Sequence, residues 1–413
     1  MNTKQQYLGV ALALTSMTLG SYYLSTPIFF RLLLGLSLGY VLVRGSIGFA
    51  GSVNRAYKSG STRLMVVLMG MFVGTAIINA ALVMNAEPGT YNLWVNPINT
   101  GLIVGGLLFG FGMSFSSCCA TGVLARISSK MPLALITLFF FCLGVFAGFP
   151  IQKEASWITD TWVSSASYPD QGVYLPDLIP GDPLNGYLSA IVLTVLFASI
   201  VVYLAKRYED HRRQNGSFFG TDQDGPLPGE QTSAELKPMV LFSRDTYETL
   251  LVKPWSMRTG AIAIIALFTI MMASTGNGWG ASTPFGLWFG KWLMFAGFSA
   301  ADVAAYTRLP ETAFTLPFFE HGVSVQNLGI VIGAISYLLM AGKFKPMHGL
   351  TLKDAALFAI GGLAMGLGTR FANGCNVGAL YTPIANLSLS GWIYLIFLVA
   401  GGVLGNRVAK AVT

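Results

Sequence analysis

Two cysteines, Cys119 and Cys375, occupy matching places in two glycine-rich apolar segments. The first segment, 105–122, reads GGLLFGFGMSFSSCCATG, and the second, 361–378, reads GGLAMGLGTRFANGCNVG. An offset of 256 residues superimposes Cys119 on Cys375, Gly105 on Gly361, Gly106 on Gly362, Gly110 on Gly366, Gly112 on Gly368 and Gly122 on Gly378. Paired glycine-interrupted hydrophobic segments in the two halves of a chain point to the binding site of a transporter. Here each ends in Cys-x-x-Gly, so the solute is one that a thiol can contact. A helix broken at the cysteine frees backbone N–H groups, tolerable in lipid only where they line a cavity. A short helix is expected after each cysteine, through Arg126 and through Tyr381, its N-terminus favouring an anion. Cys118 has no thiol counterpart, because its register position is Gly374.

The elements that carry these segments are membrane helices. Hydrophobic residues make up 53% of the 413, charged residues 10%, and mean hydropathy is +0.60. Runs such as LMVVLMGMFVGTAIINAALV and YLSAIVLTVLFASIVVYLA approach the roughly 20 helical residues that span a bilayer core. The alternating short segments of a membrane β-barrel are absent from the sequence. The fold class expected is an all-α integral membrane protein. Full crossings fall near 7–24, 27–43, 64–86, 131–152, 184–205, 259–275, 322–341 and 391–406, with broken or re-entrant ones at 99–130 and 355–390. The first stretch is read as a retained span rather than a signal peptide, since it lacks a clear small-x-small cleavage site.

Charge sets the expected orientation. Segment 44–63, loop 206–258 and the basic clusters at 343–353 and 407–410, with Lys4, Arg126 and Lys130, hold 20 of the 25 Lys and Arg. Loops 87–98 and 153–183 hold almost none. The positive-inside rule then places the first set and both termini in the cytoplasm. About ten crossings follow. The Cys119 segment runs inward and the Cys375 segment outward, giving two inverted-topology repeats whose broken helices meet at the midplane. The division expected is an extra N-terminal helix at 1–26, a first repeat at 27–152, a linker with one crossing at 153–258 and a second repeat at 259–413.

Bland readings stand beside these. Single glycines serve close helix packing, and Cys142, within FFFCLGVF, reads as a small core hydrophobe. Arg370, five residues before Cys375, is a functional candidate because an intramembrane arginine is costly, although it can snorkel to an interface. Lys291, in a half-length apolar segment, has the same two readings. His211, His321 and His348 fall in expected loops, which gives no support to a metal site or proton relay. No cofactor is implied. The net charge of +7 reflects span-flanking residues rather than nucleic-acid binding. Loop 206–258 carries no Walker motif, so no ATPase is expected in this chain.

The two modules, with the second extending as GLGTRFANGCNVGALYTPIANLSLSGW, and RGSIGFAGSVNRAY near the start, resemble the YeeE/YedE (sulphur transport) family of bacterial inner-membrane proteins. The resemblance covers about 27–152 and 259–410. It implies uptake of a small inorganic sulfur anion, thiosulfate above all, by an inverted-repeat helical permease of the inner membrane. Cysteine thiols at a central constriction would contact the solute in succession. The substrate-binding set it implies is Cys119, Cys375, Cys118, Gly122, Gly374, Gly378, Arg370 and Gly48. Thiosulfate transporters of the family carry a further cysteine in a pattern like RG-x-x-C, whereas here Arg44-Gly45-Ser46-Ile47 is followed by Gly48. A neutral thiol donates a weak hydrogen bond to the terminal sulfur, and backbone N–H groups bind the oxyanion. Partners are the lipid bilayer, the anion and, as a candidate, a cytoplasmic sulfur-carrier or sulfurtransferase protein. Two alternatives stay open: a permease for sulfite, sulfide or selenite, and a membrane thiol oxidoreductase using Cys118 and Cys119.

Overall fold

The computed structural model describes residues 3–87, 89–116, 119–126, 131–220, 244–344 and 350–412. Among them every regular element is helical, with isolated β-bridges and no strand. The first half holds α1 (Thr3–Tyr23), α2 (Thr26–Arg44), α3 (Phe49–Ser59), α4 (Arg63–Val83), α5 (Thr100–Ser116), α6 (Ala120–Arg126) and α7 (Met131–Glu154). The single turn α8 (Ser156–Thr159), the long α9 (Tyr187–Gln214) and the turn α10 (Arg244–Tyr247) lie between the halves. The second half holds α11 (Met257–Thr275), α12 (Thr283–Phe295), α13 (Ala300–Thr307), α14 (Thr312–Thr315), α15 (Gly322–Met340) and α16 (Leu352–Phe371). A π-helical turn, Asn376–Tyr381, then leads into α17 (Thr382–Ala385) and α18 (Leu389–Val412).

Local signals place the ends of several helices. Pro27 opens α2, where a missing N–H costs nothing. Thr351 caps α16 by accepting from the Asp354 N–H at 3.1 Å, and Gly60 closes α3 in the left-handed region at φ 84°.

Nine helices among the described residues are long and apolar enough to cross a membrane, two of them composite: α5 with α6, and α16 with the π turn and α17. The protein is therefore an all-α multi-pass membrane protein. The tenth expected crossing, α1, is a helix of 21 residues packed on α15, but less apolar than the other nine. A second difference concerns α9. The crossing expected to end at 205 continues as helix to Gln214, so His211 lies in a helix and not in a loop. Arg213 pairs with Glu209 one turn earlier at 2.7 Å, and the Glu209 carboxylate accepts from the Thr62 N–H and hydroxyl at 2.9 and 2.8 Å. These contacts sustain helix through a charged stretch that reads as loop. His321 caps α15, and His348 lies outside the described residues.

Loops gather in two clusters. In one, the Asn92 N–H donates to Gly276 O, Trp162 to Ile98 O, Leu175 to Leu387 O and Leu389 to Val173 O, all at 2.8–3.0 Å. In the other, Arg212 donates to Tyr57 O at 2.9 Å and the Phe219 N–H to Ser59 O at 2.8 Å. There too the buried Arg44 guanidinium donates to the carbonyls of Thr249, Leu250 and Lys253 and stacks on Trp255, 4.4 Å from the ring centre. The helices α4 and α9 each run from one cluster to the other, and the 28 residues of α9 span about 42 Å.

Between the clusters, α5 and α16 cross antiparallel on glycine. A Cβ at Gly105 would lie 2.7 Å from Gly368 O, and one at Gly368 would lie 2.7 Å from Gly105 O. Gly112 and Gly361 face each other in the same way. The remaining motif glycines face the flanking helices, Gly106 and Gly110 toward α18 and Gly362 and Gly366 toward α7. Shifting by 256 exchanges these contacts: the pair Gly105–Gly368 becomes Gly361–Gly112, and α5–α18 becomes α16–α7. The packing pairs α1–α15 and α4–α11 exchange likewise. Small residues thus let backbones touch where lipid supplies no hydrophobic drive.

Candidate functional site

The glycine crossing delivers two cysteines to the ends of the broken helices. Beyond α5, α6 begins at Ala120, directly after Cys119; beyond α16, the π turn begins at Asn376, directly after Cys375. Each cysteine carbonyl caps the new helix by accepting the N–H four residues on, from Val123 at 2.7 Å and from Ala379 at 2.6 Å. Both cysteines are free and buried, at 2% and 1% exposure. Both belong to one buried cluster that also holds Tyr394.

Around Cys375 the shell is polar. The buried Ser282 lies close to its thiol, and the Cys375 side chain makes no capping hydrogen bond to the π turn. Asn376 is fully buried; its amide reaches Met113 Sδ at 3.8 Å, while its carbonyl oxygen has no partner among the described residues. Around Cys119 the one hydrogen bond to its sulfur among the described residues is with the Thr121 hydroxyl, at 3.5 Å. Cys142 sits mid-helix in α7, fully buried.

Arg370, a residue 4% exposed, lies in the last turn of α16. It donates to Ser282 Oγ at 3.2 Å and Gln152 Oε1 at 3.4 Å, and it lies 5.0 Å from the centre of the Phe149 ring. Gly148 leaves room for its stem, since a Cβ there would sit 2.7 Å from Arg370 Cβ. Gln152 in turn donates to Asn373, which takes the left-handed conformation (φ 56°) in the turn before Cys375. Gly374 packs against the Gly378 and Ala379 backbone, where a Cβ would come within 2.6 Å of the Ala379 nitrogen. Thus Arg370, Gly374, Cys375 and Gly378 form one constellation, and Cys119 adjoins it. Gly122 lies half-buried within α6. Cys118 falls outside the described residues.

Gly48 begins α3 with extended backbone, φ −150° and ψ 124°, and the space where its Cβ would stand is empty to 4 Å. Its neighbour Phe49 lies 6.0 Å from the Tyr381 ring, which ties this position to the π turn. Lys291 donates to the carbonyls of Phe314 and Leu316, capping α14.

Four residues of the constellation carry no sequence signal of their role. Ser282 precedes α12, and Pro284 marks that helix start, but nothing in the chain order brings it to Arg370. Gln152 and Tyr394 come from α7 and α18. Trp94 is wedged between glycine backbones, 3.1 Å from a Cβ on Gly378 and closer still to one on Gly280; beside it Asn96 donates to Gly378 O at 3.3 Å.

Known proteins resemble this chain in sequence over most of its length. The chain is 27% identical over 385 residues to a thiosulfate transporter, TsuA, of Spirochaeta thermophila, covering 90% of this chain and 95% of the relative. It is 22% identical over 376 residues to TsuA of Escherichia coli, covering 90% and 91%. A probable transporter of Escherichia coli, YedE, is 29% identical over 160 residues, covering 38% of each chain. The profile of the sulphur transport family matches residues 44–404, and the chain belongs to that family.

Proposed function

We propose that the protein is an inner-membrane permease that takes up a small sulfur-containing anion, thiosulfate first, through the region between Cys119 and Cys375. One observation carries the reading: two buried free thiols stand at the starts of register-related short helices, beside a buried guanidinium. A protonated thiol donates weakly to the terminal sulfur of thiosulfate, and the freed N–H groups hold its oxygens. Contacts of this strength allow release, which conduction requires. No covalent bond forms and no enzyme turnover is involved. The TsuA relatives, matched over nine-tenths of this chain, support the choice of anion.

On this reading the halves are inverted repeats with both termini cytoplasmic, the Trp94 cluster of loops faces outward and the Arg44 cluster faces inward. The Lys and Arg distribution supports that orientation. A second reading, a permease for sulfite or selenite, rests on Gly48, where a thiol of the family pattern is replaced by open space. The test is growth and labelled uptake in a host lacking other sulfur importers, with thiosulfate as sole sulfur source. Uptake that depends on the protein is expected. Uptake of sulfite or selenite without thiosulfate would establish the second reading instead. A reporter fused after Thr413 should be active only inside the cell.

A further inference from the structure

We propose that Arg370 and Ser282, with Cys375, form a two-ended anion station in which guanidinium and hydroxyl take an oxyanion head and the thiol takes a terminal sulfur. Three observations converge on it. First, Arg370 is 4% exposed and no carboxylate pairs with it among the described residues. A buried cation without a counter-charge is strongly unfavourable, and inside a membrane such a residue marks a solute path. Its partners here are an amide oxygen, a hydroxyl and the face of Phe149, all neutral. Second, the Arg370 Nε is buried with no acceptor among the described residues. A guanidinium presents donors in a planar fork suited to an oxyanion, and this donor is left to take one. Third, Ser282 accepts from Arg370 at 3.2 Å and lies close to the Cys375 thiol.

The solute class follows. An anion with oxygens at one end and a sulfur at the other satisfies both groups; sulfate satisfies the first alone, and neutral sulfide lacks the charge. This rests on the sulfur-anion reading above and assigns its specificity to two separable groups. The competing role for Arg370 is a staple for the turn before Cys375, through Gln152 and Asn373. That role predicts a less stable protein but no anion-dependent difference.

The test uses purified full-length protein in detergent, with thermal unfolding followed under sodium thiosulfate, sodium sulfate and sodium chloride at matched ionic strength. A ligand at concentration L that binds the folded state stabilises it by RT ln(1 + L/Kd), so Tm rises with ligand concentration. Wild type should be stabilised by thiosulfate more than by sulfate, and by either more than by chloride. Arg370→Gln should lose both increments, Arg370→Lys should keep part, and Cys375→Ser should keep the sulfate increment while narrowing the advantage of thiosulfate. Should Arg370→Gln not fold, Ser282→Ala retains the guanidinium and should raise the half-saturating thiosulfate concentration about tenfold, as expected for losing a hydrogen bond in a charged cluster. Wild-type increments in Arg370→Gln, an unchanged half-saturation in Ser282→Ala, or no anion effect on wild type would each overturn the station. Arg370-dependent increments in a protein that moves no thiosulfate would leave the station standing and refute the permease reading. Normal uptake by Arg370→Gln would do the reverse.

Discussion

Position 114 of the first glycine-rich motif is a serine, and its register mate in the second, position 370, is an arginine. The Ser114 hydroxyl donates to Gly110 O and Gly402 O, and receives the Asn406 amide, itself bonded to Asn54. That neighbourhood is neutral and buried, and its one unpartnered side-chain atom among the described residues is the uncharged amide oxygen of Asn406. Arg370, at the same turn against the other flanking helix, has a full charge and an idle donor. Yet the glycines around both positions make the same backbone contacts with partners exchanged. The shared register therefore governs how closely the backbones approach, whereas the chemistry resides in the few side chains free to differ. Matching glycine contacts thus surround unlike neighbourhoods, charged beside Cys375 and neutral around Ser114.

The comparison can be broken at several points. The largest effect expected is at the thiols. Cys119→Ala and Cys375→Ala should each remove nearly all thiosulfate uptake with the protein still inserted, while Cys142→Ala leaves it within about twofold, as a mid-helix packing residue should. Normal uptake by Cys375→Ala would end the thiol mechanism. Next comes the charge difference. Arg370→Ser gives the second motif the residue of the first and should reduce uptake more than tenfold, the scale of losing charge-assisted hydrogen bonds. Ser114→Ala should stay within about twofold; equal losses would make the two neighbourhoods equivalent. The scaffold offers a stability test. Gly112→Ala and Gly368→Ala are register mates that each force a methyl into facing backbone, and both should destabilise by about 1–3 kcal/mol. A difference beyond that range in denaturation would show that the halves are not packed alike. The smallest effect belongs to Gly48→Cys. Extended backbone and empty space allow the side chain, so it should add a thiol near the Tyr381 ring and raise thiosulfate uptake about twofold. No change for thiosulfate, sulfite or selenite would take position 48 off the path.

How far the sequence carries the fold varies with the origin of the signal. Apolar runs bounded by Lys and Arg located nine crossings, because length and hydropathy are local properties. The helix starts after Cys119 and Cys375 were legible because two copies of one pattern reinforce each other. α9 was cut short because its last nine residues, KRYEDHRRQ, look like loop until Thr62 arrives to satisfy Glu209. The π turn had no marker, and Ser282, Gln152, Trp94 and Tyr394 reach the constellation from four separate segments. Residues brought in by tertiary packing leave no spacing to read. For the same reason Arg370 stood out by its type alone, while its hydroxyl partner did not.

The Arg44 clasp has a consequence for the chain as a covalent object. Upstream of 221, Arg212 and Phe219 are fastened to the Tyr57–Ser59 turn; downstream of 243, the carbonyls of Thr249, Leu250 and Lys253 are fastened to Arg44, and the Trp255 N–H donates to Arg44 O at 3.0 Å. Both attachments are to the first half, so continuity of the peptide between them does not hold the assembly together. A gene divided there, expressed as two open reading frames, should yield fragments that find each other in the bilayer and reconstitute one particle.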